Sequence, residues 1–285
     1  MQNAPCSRRS FVVSLMVSSA ACGLTQEVLA EQSQPAHSNS NGVPENAQLI
    51  EELGTDGLKV YGRDDTLWLH LESAAKERKT ITIPRLCAPM RSFGWKEHPD
   101  AELKFVPEPR EWTFSWKTLP EDSDVIEVVF DSAPLLPDKL PPARSAGDGS
   151  VMLHAFQASA HGEKLRFEPQ PFKNTVGYWI VPTDYVTWQV TIDQPGTFSV
   201  AVLQGCGQGQ GGSEGAITLR QHEDVKADLA FQTLDTGHFQ NFRWNDLGMI
   251  TLAAEGDYQL RIQPQRIAKA ALFDVRAVHL VRQAT

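Results

Sequence analysis

The chain has 285 residues, of which 26 are basic and 35 acidic, and its formal net charge is −9. A hydrophobic share of 41% and a charged share of 21% exclude a fibrous or largely disordered protein. A (β/α)₈ barrel takes about 250 residues by itself, so the length leaves no room for one beside another β-rich domain. Nucleic acid is excluded as a partner, because that binding needs clustered Lys and Arg, which the sequence lacks.

The first 30 residues have the pattern of a targeting segment. Arg8 and Arg9 precede an apolar run that ends at Ala21, and a small-x-small cleavage site ends at Ala30. We predict a cleaved twin-arginine signal peptide over residues 1–30 and therefore an exported protein, periplasmic or extracellular. An ordinary secretory signal and a lipoprotein cut before Cys22 are the alternatives. The apolar run is too short to cross a bilayer, so no membrane span is predicted.

The next segments predict a tether and a first β-domain. Residues 31–50 are rich in Gln, Ser, Asn and Pro and are interpreted as a flexible tether. Over residues 51–131 apolar side chains alternate with polar ones, which is typical of half-buried strands. The alternating sets are Leu67, Leu69 and Leu71; Trp112, Phe114 and Trp116; and Ile126, Val128 and Phe130. This segment predicts a β-sandwich.

A proline-rich stretch separates two β-rich regions. Four prolines fall within nine residues of the segment 132–150, which is interpreted as a linker because a central strand does not tolerate them. Over residues 151–285 the strand pattern resumes without intervening helices, and Trp188 shares its face with Val186 and Val190. The predicted fold class is therefore all-β, with two consecutive antiparallel β-sandwiches, the second a jelly roll.

Two cysteines remain after removal of the leader. Cys87 and Cys206 lie on either side of the linker, so a disulfide between them would cross domains; the alternative is two buried thiols. No Cys or His spacing is typical of a zinc site, and we predict no metal ligands from spacing.

The segment Gly205–Gly215 contains six glycines. A phosphate loop is excluded, because the β-type residues 216–219 follow it where a helix is needed. Two interpretations remain. The segment is a plain loop between strands, or it lets a flat polar ligand approach the backbone, with Ser213 and Glu214 supplying hydrogen bonds.

Aromatic residues provide the other candidate site. Sugar rings present apolar C–H faces that stack on aromatic rings. Trp188 is predicted to be core from its position on a strand, whereas Trp179, which precedes a turn, is either core or an exposed platform. No Gly-x-Ser-x-Gly elbow occurs and no carboxylate pair can be placed, so we predict no catalytic residues and no enzyme activity.

A family resemblance follows from several motifs in order. These are Asn174–Trp179, Asp184–Trp188, Pro195–Phe198, Gly211–Glu214, Thr236–Phe242 and Phe273–Val278. Together they resemble the galactose-binding-like jelly-roll domain, of the carbohydrate-binding-module type, that is appended to bacterial α-L-fucosidases and sulfatases. The resemblance implies that a polysaccharide or glycan is the partner.

The first β-domain has a weaker resemblance. Leu67–Leu71, Thr80–Pro84 and Val125–Asp131 resemble the β-sandwich that follows the catalytic barrel in α-L-fucosidases. The nucleophile and the acid/base of those enzymes lie on the barrel. The resemblance therefore carries no catalytic residue to this chain.

Two departures from the related modules concern ligands. Those modules often have a Glu-Ala-Glu strand that contributes to a structural calcium, where this chain has His154–Gln157. Only Asp274 remains as a candidate ligand, so calcium is doubtful and no cofactor is predicted. Thr236–Phe239 replaces a Thr-Gly-Gly-Trp motif, which alters one stacking platform.

The sequence therefore predicts an exported, non-catalytic carbohydrate-binding accessory protein. The predicted site combines stacking rings with polar contacts and consists of Tyr178, Trp179, Phe239, Arg166, Glu168, Ser213, Glu214 and Asn241. One alternative is a structural or interaction module that partners a separate glycosidase or sulfatase. The other is an α-L-fucosidase-related hydrolase.

Overall fold

The computed structural model describes residues 42–284, which fold almost entirely into antiparallel β-sheets. This confirms the all-β fold class. The predicted signal peptide over 1–30 and the tether residues 31–41 lie outside the described residues. No helix among those described is long and apolar enough to cross a membrane.

The N-terminal half forms two sheets, which we call the first sandwich. Its elements are β1 Gln48–Leu49, β2 Leu58–Arg63, β3 Thr66–Leu71, α1 Ser73–Arg78, β4 Thr80–Pro84, β5 Met90–Trp95, β6 Lys104–Pro107, β7 Glu111–Ser115 and β8 Val125–Phe130. One sheet has the order β1-β2-β3-β8-β5 and the other β4-β7-β6. The predicted alternation is confirmed here: Trp112 and Phe114 on β7 are fully buried, and Trp112 stacks on Phe130 at 6.3 Å between ring centroids.

The strand β3 is buried on both faces. Trp68, which alternation would place on the polar face, is 3% exposed, because Val43 and Val125 pack on it. Val43 belongs to the segment predicted as a tether, and β1 also lies in that segment. The prediction of a flexible tether up to residue 50 is therefore corrected: residues 42–50 pack on the first sandwich, because an exposed indole gains from being covered.

The C-terminal half forms the second sandwich, built from two six-stranded sheets. Its strands are β9 Ala143–Arg144, β10 Val151–His154, β11 Ser159–His161, β12 Arg166–Glu168, β13 Thr175–Gly177, β14 Tyr185–Ile192, β15 Gly196–Cys206, β16 Glu214–Gln221, β17 Asp224–Gln232, β18 His238–Leu252, β19 Gly256–Arg266 and β20 Asp274–Arg282. One sheet has the order β12-β13-β20-β15-β18 with β10 on β20. The other has the order β11-β14-β19-β16-β17 with β9 on β14.

The proline-rich segment is not a free linker along its whole length. Within it, β9 pairs in parallel with Val190 and Thr191 of β14, and Ala143 is buried. The linker prediction over 132–150 is therefore corrected at this point, because the segment resumes strand pairing once its last proline is passed.

Both cysteines are buried free thiols in the described structure, so no disulfide joins Cys87 and Cys206. Burial and, after it, the nearby carboxylate of Asp235 raise the pKa of Cys206, and the resulting pKa is about 11. A thiol that remains protonated is a poor nucleophile and metal ligand, so Cys206 is a core residue.

Candidate functional site

A pocket of about 320 Å³ opens at one end of the second sandwich. It lies where β12, the residues after β13, the start of β18 and the start of β20 converge. The lining combines exposed apolar side chains with charged groups and consists of Glu168, Lys173, Tyr178, Ile180, Phe239, Gln240, Ala270, Ala271 and Asp274. Three predicted site residues, Glu168, Tyr178 and Phe239, are thus brought together.

Tyr178 forms one wall of the pocket in an unusual backbone conformation. Its φ is +60°, in the left-handed region that a tyrosine rarely adopts. The side chain is 44% exposed, and the guanidinium of Arg166 lies 3.4 Å from the ring centroid. A strained residue that keeps a large ring at a pocket wall is a feature of binding sites, and the stacked cation restricts the ring's motion.

The residue after Tyr178 has the opposite environment. Trp179 is fully buried, its Nε1–H donates to the carbonyl oxygen of Asp184 at 2.9 Å, and its ring packs on Phe273. Of the two interpretations of Trp179, core is correct, and its prediction as a stacking platform is wrong. The indole cannot stack on a ligand, because no part of it reaches the pocket.

Charged groups are concentrated on one side of the pocket. Lys173 Nζ lies 2.5 Å from Glu168 Oε1, and Glu168 is only 3% exposed. Burial and, after it, the negative charge of Glu168 raise the pKa of Asp274, Lys173 opposes both, and the resulting pKa is about 7. Near neutral pH, Asp274 is therefore divided between a carboxyl group that donates a hydrogen bond and a carboxylate that accepts one.

Glycine is required at two positions beside the pocket. A Cβ atom on Gly177 would lie 2.6 Å from Asp274 Oδ1 and 3.1 Å from Glu168 Oε2. A Cβ on Gly205 would lie 1.9 Å from the carbonyl oxygen of Phe239. The start of the glycine-rich segment thus lets β18 approach and sets the position of Phe239, which is closer to the structural interpretation of that segment than to the ligand-binding one.

Calcium does not fit the residues present. No group of three or more His, Cys, Asp or Glu side chains among residues 42–284 is arranged to hold a metal ion. Lys173 already supplies the positive charge that faces Glu168. Gln157, in the stretch that replaces the acidic strand, uses its Oε1 to accept the backbone N–H of His154 at 2.9 Å.

Three other predicted site residues do not line the pocket, and their predicted ligand role is corrected. Ser213 is fully buried and accepts the N–H of Ala268 at 3.0 Å. Glu214 pairs with Arg266 at 2.6 Å, and this hydrogen bond lowers the pKa of Glu214. Asn241 donates to the carbonyl oxygen of Thr236. Each side chain is occupied by a local partner.

Arg166 has an intermediate position. It does not line the pocket, but its guanidinium supports Tyr178 from behind and lies 3.6 Å from Glu108 of the first sandwich. Sequence reasoning missed Lys173 and Ile180 as lining residues. Both lie in irregular segments beside β13, where periodicity carries no information.

No protein-family model and no curated protein matches this chain. Three solved structures with partial similarity share 14–16% identity with it. An α-L-fucosidase from Vibrio sp. strain EJY3 matches at 14% identity, 82% coverage of this chain and a TM-score of 0.34. The C-terminal family 6 carbohydrate-binding module of a Zobellia galactanivorans laminarinase covers 47% of this chain and 99% of its own, at 14% identity and a TM-score of 0.38. A family 35 carbohydrate-binding module from Clostridium thermocellum covers 47% and 98%, at 16% identity and a TM-score of 0.37.

The similar structures are thus carbohydrate-binding modules and a fucosidase, the kinds of protein named by the sequence resemblance. This chain spans 41% of the fucosidase chain. With TM-scores below 0.5, these similarities assign neither an activity nor a ligand.

Proposed function

We propose that this chain is an exported, non-catalytic protein that binds a carbohydrate in the pocket formed by Tyr178, Phe239 and Asp274. The observation that carries the proposal is the composition of that pocket, in which exposed apolar side chains lie beside groups that donate and accept hydrogen bonds. A sugar ring has the same two characters, because its C–H faces are apolar and its hydroxyl edges are polar.

The roles of the residues follow from their positions. The ring of Tyr178, held by Arg166, offers a flat face of fixed orientation, and Phe239 offers a second apolar contact. Lys173 donates hydrogen bonds to sugar hydroxyls, and Asp274 donates or accepts according to its protonation state. A ligand that stacks on rings already in place loses little conformational freedom in the protein on binding.

The charged groups of the pocket support binding in preference to hydrolysis. Glycoside hydrolysis needs two carboxyl groups that both reach the substrate. Of the two carboxyl groups that line the pocket, that of Glu168 is 3% exposed and its Oε1 is bound to Lys173, which leaves Asp274 as the one without a hydrogen-bond or ion-pair partner among residues 42–284. The fucosidase-type alternative therefore lacks a second accessible group in this pocket.

Export and partners extend the proposal beyond the pocket. The twin arginine at Arg8 and Arg9 with its following apolar run supports export, periplasmic or extracellular. A separate glycosidase or sulfatase is the partner that an accessory glycan binder would serve.

A second candidate function is a protein-interaction module, favoured by one apolar surface. Trp244 and Met249 are 48% and 56% exposed, and both lie on β18 at the outer face of its sheet. Leu203, the cross-strand neighbour of Trp244, extends this surface. Exposed apolar area of this kind is typical of protein contacts.

Affinity electrophoresis tests the two candidates against each other. The full chain is run through gels that contain fucoidan, laminarin or galactomannan, together with Tyr178→Ala and the matched control Trp244→Ala. We expect retardation by at least one polysaccharide and about tenfold weaker binding by Tyr178→Ala, because a stacking ring is lost. Trp244→Ala should bind as the unaltered chain does. Retardation by none of the three polysaccharides, or loss of binding only in Trp244→Ala, would contradict the proposal.

A further inference from the structure

The strand that carries two of the pocket-side residues is short and lies at a sheet edge. β12 has only three residues, and within its sheet it pairs only with β13. Arg166 and Glu168 point to the pocket side, while Phe167 between them is buried in the core. A three-residue edge strand has few hydrogen bonds of its own, so its position depends on what packs on its free side.

The free side of β12 faces the first sandwich, which contacts it at three points. Glu108, directly after β6, lies 3.6 Å from Arg166. The backbone N–H of Met90 at the start of β5 donates to the carbonyl oxygen of Pro169 at 2.8 Å. The third contact is made by Arg85, whose guanidinium lies 5.2 Å from the ring centroid of Phe167.

Arg85 makes this third contact from a buried position. It is 4% exposed, its Nη2 donates to the carbonyl oxygen of Phe156 at 3.2 Å, and no carboxylate pairs with it among residues 42–284. Burial lowers the pKa of Arg85. A buried guanidinium without a counter-ion is costly, and this one connects the first sandwich to the carbonyl oxygen of Phe156 and the ring of Phe167.

The three contacts surround the buried pocket carboxylate. Residues 166, 167 and 169 are each held by the first sandwich, and Glu168 lies between them. Arg166 also contacts the ring of Tyr178 at 3.4 Å, so the position of that ring depends on the position of Arg166. The positions of Glu168, which lies on β12, and of Tyr178, which follows β13, therefore both depend on β12.

We infer that the first sandwich is a positioning element for the pocket, acting through Glu108, Arg166 and Tyr178, although every described residue that lines the pocket belongs to the second sandwich. This inference rests on the proposed carbohydrate binding for its functional meaning. Glu108 and Arg166 are positioning residues, because neither lines the pocket.

The test uses the full chain with one charge removed. Glu108→Gln removes the carboxylate that faces Arg166, and Glu111→Gln on the same hairpin is the matched control, because Glu111 is exposed and lacks an ion-pair partner among the described residues. On the same three polysaccharide gels, we expect Glu108→Gln to bind about two- to fivefold more weakly, the range of a part-exposed ion pair. Glu111→Gln should bind as the unaltered chain does, and both variants should unfold at the same temperature.

A double-mutant cycle tests whether Glu108 affects binding through Arg166 or independently of it. If Glu108 acts through Arg166, adding Glu108→Gln to Arg166→Met should cause no further loss. If the losses of binding from the two single substitutions simply add in the double mutant, Glu108 does not act through Arg166.

Hydrogen–deuterium exchange provides a readout that needs no ligand. Glu108→Gln should exchange faster over residues 166–178 and Glu111→Gln should not, because β12 has lost one of its three contacts. If no gel retards the unaltered chain, the proposed function fails while the exchange result still decides whether β12 is positioned from the first sandwich. Unchanged binding together with unchanged exchange in Glu108→Gln would overturn the inference.

Discussion

The two sandwiches are built from the same kind of alternating strand, but they place their aromatic residues differently. In the first sandwich, the large rings of Trp95, Trp112, Phe114 and Phe130 are less than 2% exposed. In the second, Tyr178 is 44% exposed, and Phe239 joins it in lining the pocket. These strand positions of the first sandwich thus bury their rings, whereas in the second sandwich the rings that line the pocket lie directly after β13, at Tyr178, and at the start of β18, at Phe239.

Tyr178 and Trp179 show the same difference within two consecutive residues. Because β13 ends at Gly177, neither residue follows strand alternation, and the left-handed φ of Tyr178 turns its ring outward while Trp179 enters the core. Substitutions at these two residues should therefore separate a ring that stabilises the core from a ring that is available to a ligand.

Trp179→Ala should destabilise the protein by about 3–5 kcal/mol, because it removes a fully buried indole and leaves a cavity. Denaturant unfolding measures this loss. Tyr178→Ala is the control and should change the free energy of unfolding by less than about 1 kcal/mol. Equal effects of the two substitutions would contradict the assignment of one ring to the core and the other to the pocket.

Asp184→Ala should cost about 3 kcal/mol of stability. The buried carboxylate of Asp184 accepts three backbone N–H groups, from Glu163, Lys164 and Leu165, each at 2.9 Å, and the substitution leaves these donors without an acceptor. A control in the first sandwich is Glu127→Gln, which keeps an acceptor for the indole N–H of Trp68. The unfolding temperature should fall strongly in Asp184→Ala and only slightly in Glu127→Gln. Similar losses would indicate that the loop before β12 does not depend on Asp184.

Asp274→Asn should alter how stability depends on pH. The pKa of Asp274 is raised from 3.8 to about 7 in the folded protein, so the folded state binds a proton more tightly than the unfolded state. Its contribution is therefore fully present below about pH 4 and is lost as the pH rises to about 7.

Relative to the unaltered chain, Asp274→Asn should gain about 2 kcal/mol between pH 4.5 and pH 8, a value reduced for partial exposure of the carboxyl group. Urea unfolding at the two pH values measures this difference. A pH-independent difference between the two proteins would show that Asp274 titrates normally in the fold.

Glu214→Ala should have the smallest effect. Its ion pair with Arg266 is exposed, so the unfolding temperature should change by less than about 2 °C. Polysaccharide binding should be unchanged, because Glu214 does not line the pocket. A loss of binding comparable to that of Tyr178→Ala would restore the glycine-rich segment as part of the site.

The sequence predicts the fold better than it predicts the site. Alternation identifies the strands of both sandwiches and the burial of Trp188, because a period of two reports directly which face of a sheet is inside. It fails at Trp68, where the covering residue Val43 is 25 positions away in the chain and in a polar segment.

The pocket depends on contacts that no local pattern encodes. Glu168, Lys173 and Asp274 are brought together from β12, the loop after it and β20, so neither their proximity nor the raised pKa of Asp274 can be read from spacing. Glu214 and Ser213 have the residue types of a binding site, but Glu214 is paired with Arg266 and Ser213 accepts the N–H of Ala268. Residue type alone does not distinguish a free polar group from one that already has a partner.

The most direct test of carbohydrate binding in this pocket is a crystal structure of the full chain soaked with an oligosaccharide of the polysaccharide that retards it most strongly. We expect a sugar ring stacked on Tyr178, in contact with Phe239 and within hydrogen-bond distance of Asp274 or Lys173. A sugar on the outer face around Trp244, or beside Glu214, with the pocket empty would contradict this expectation.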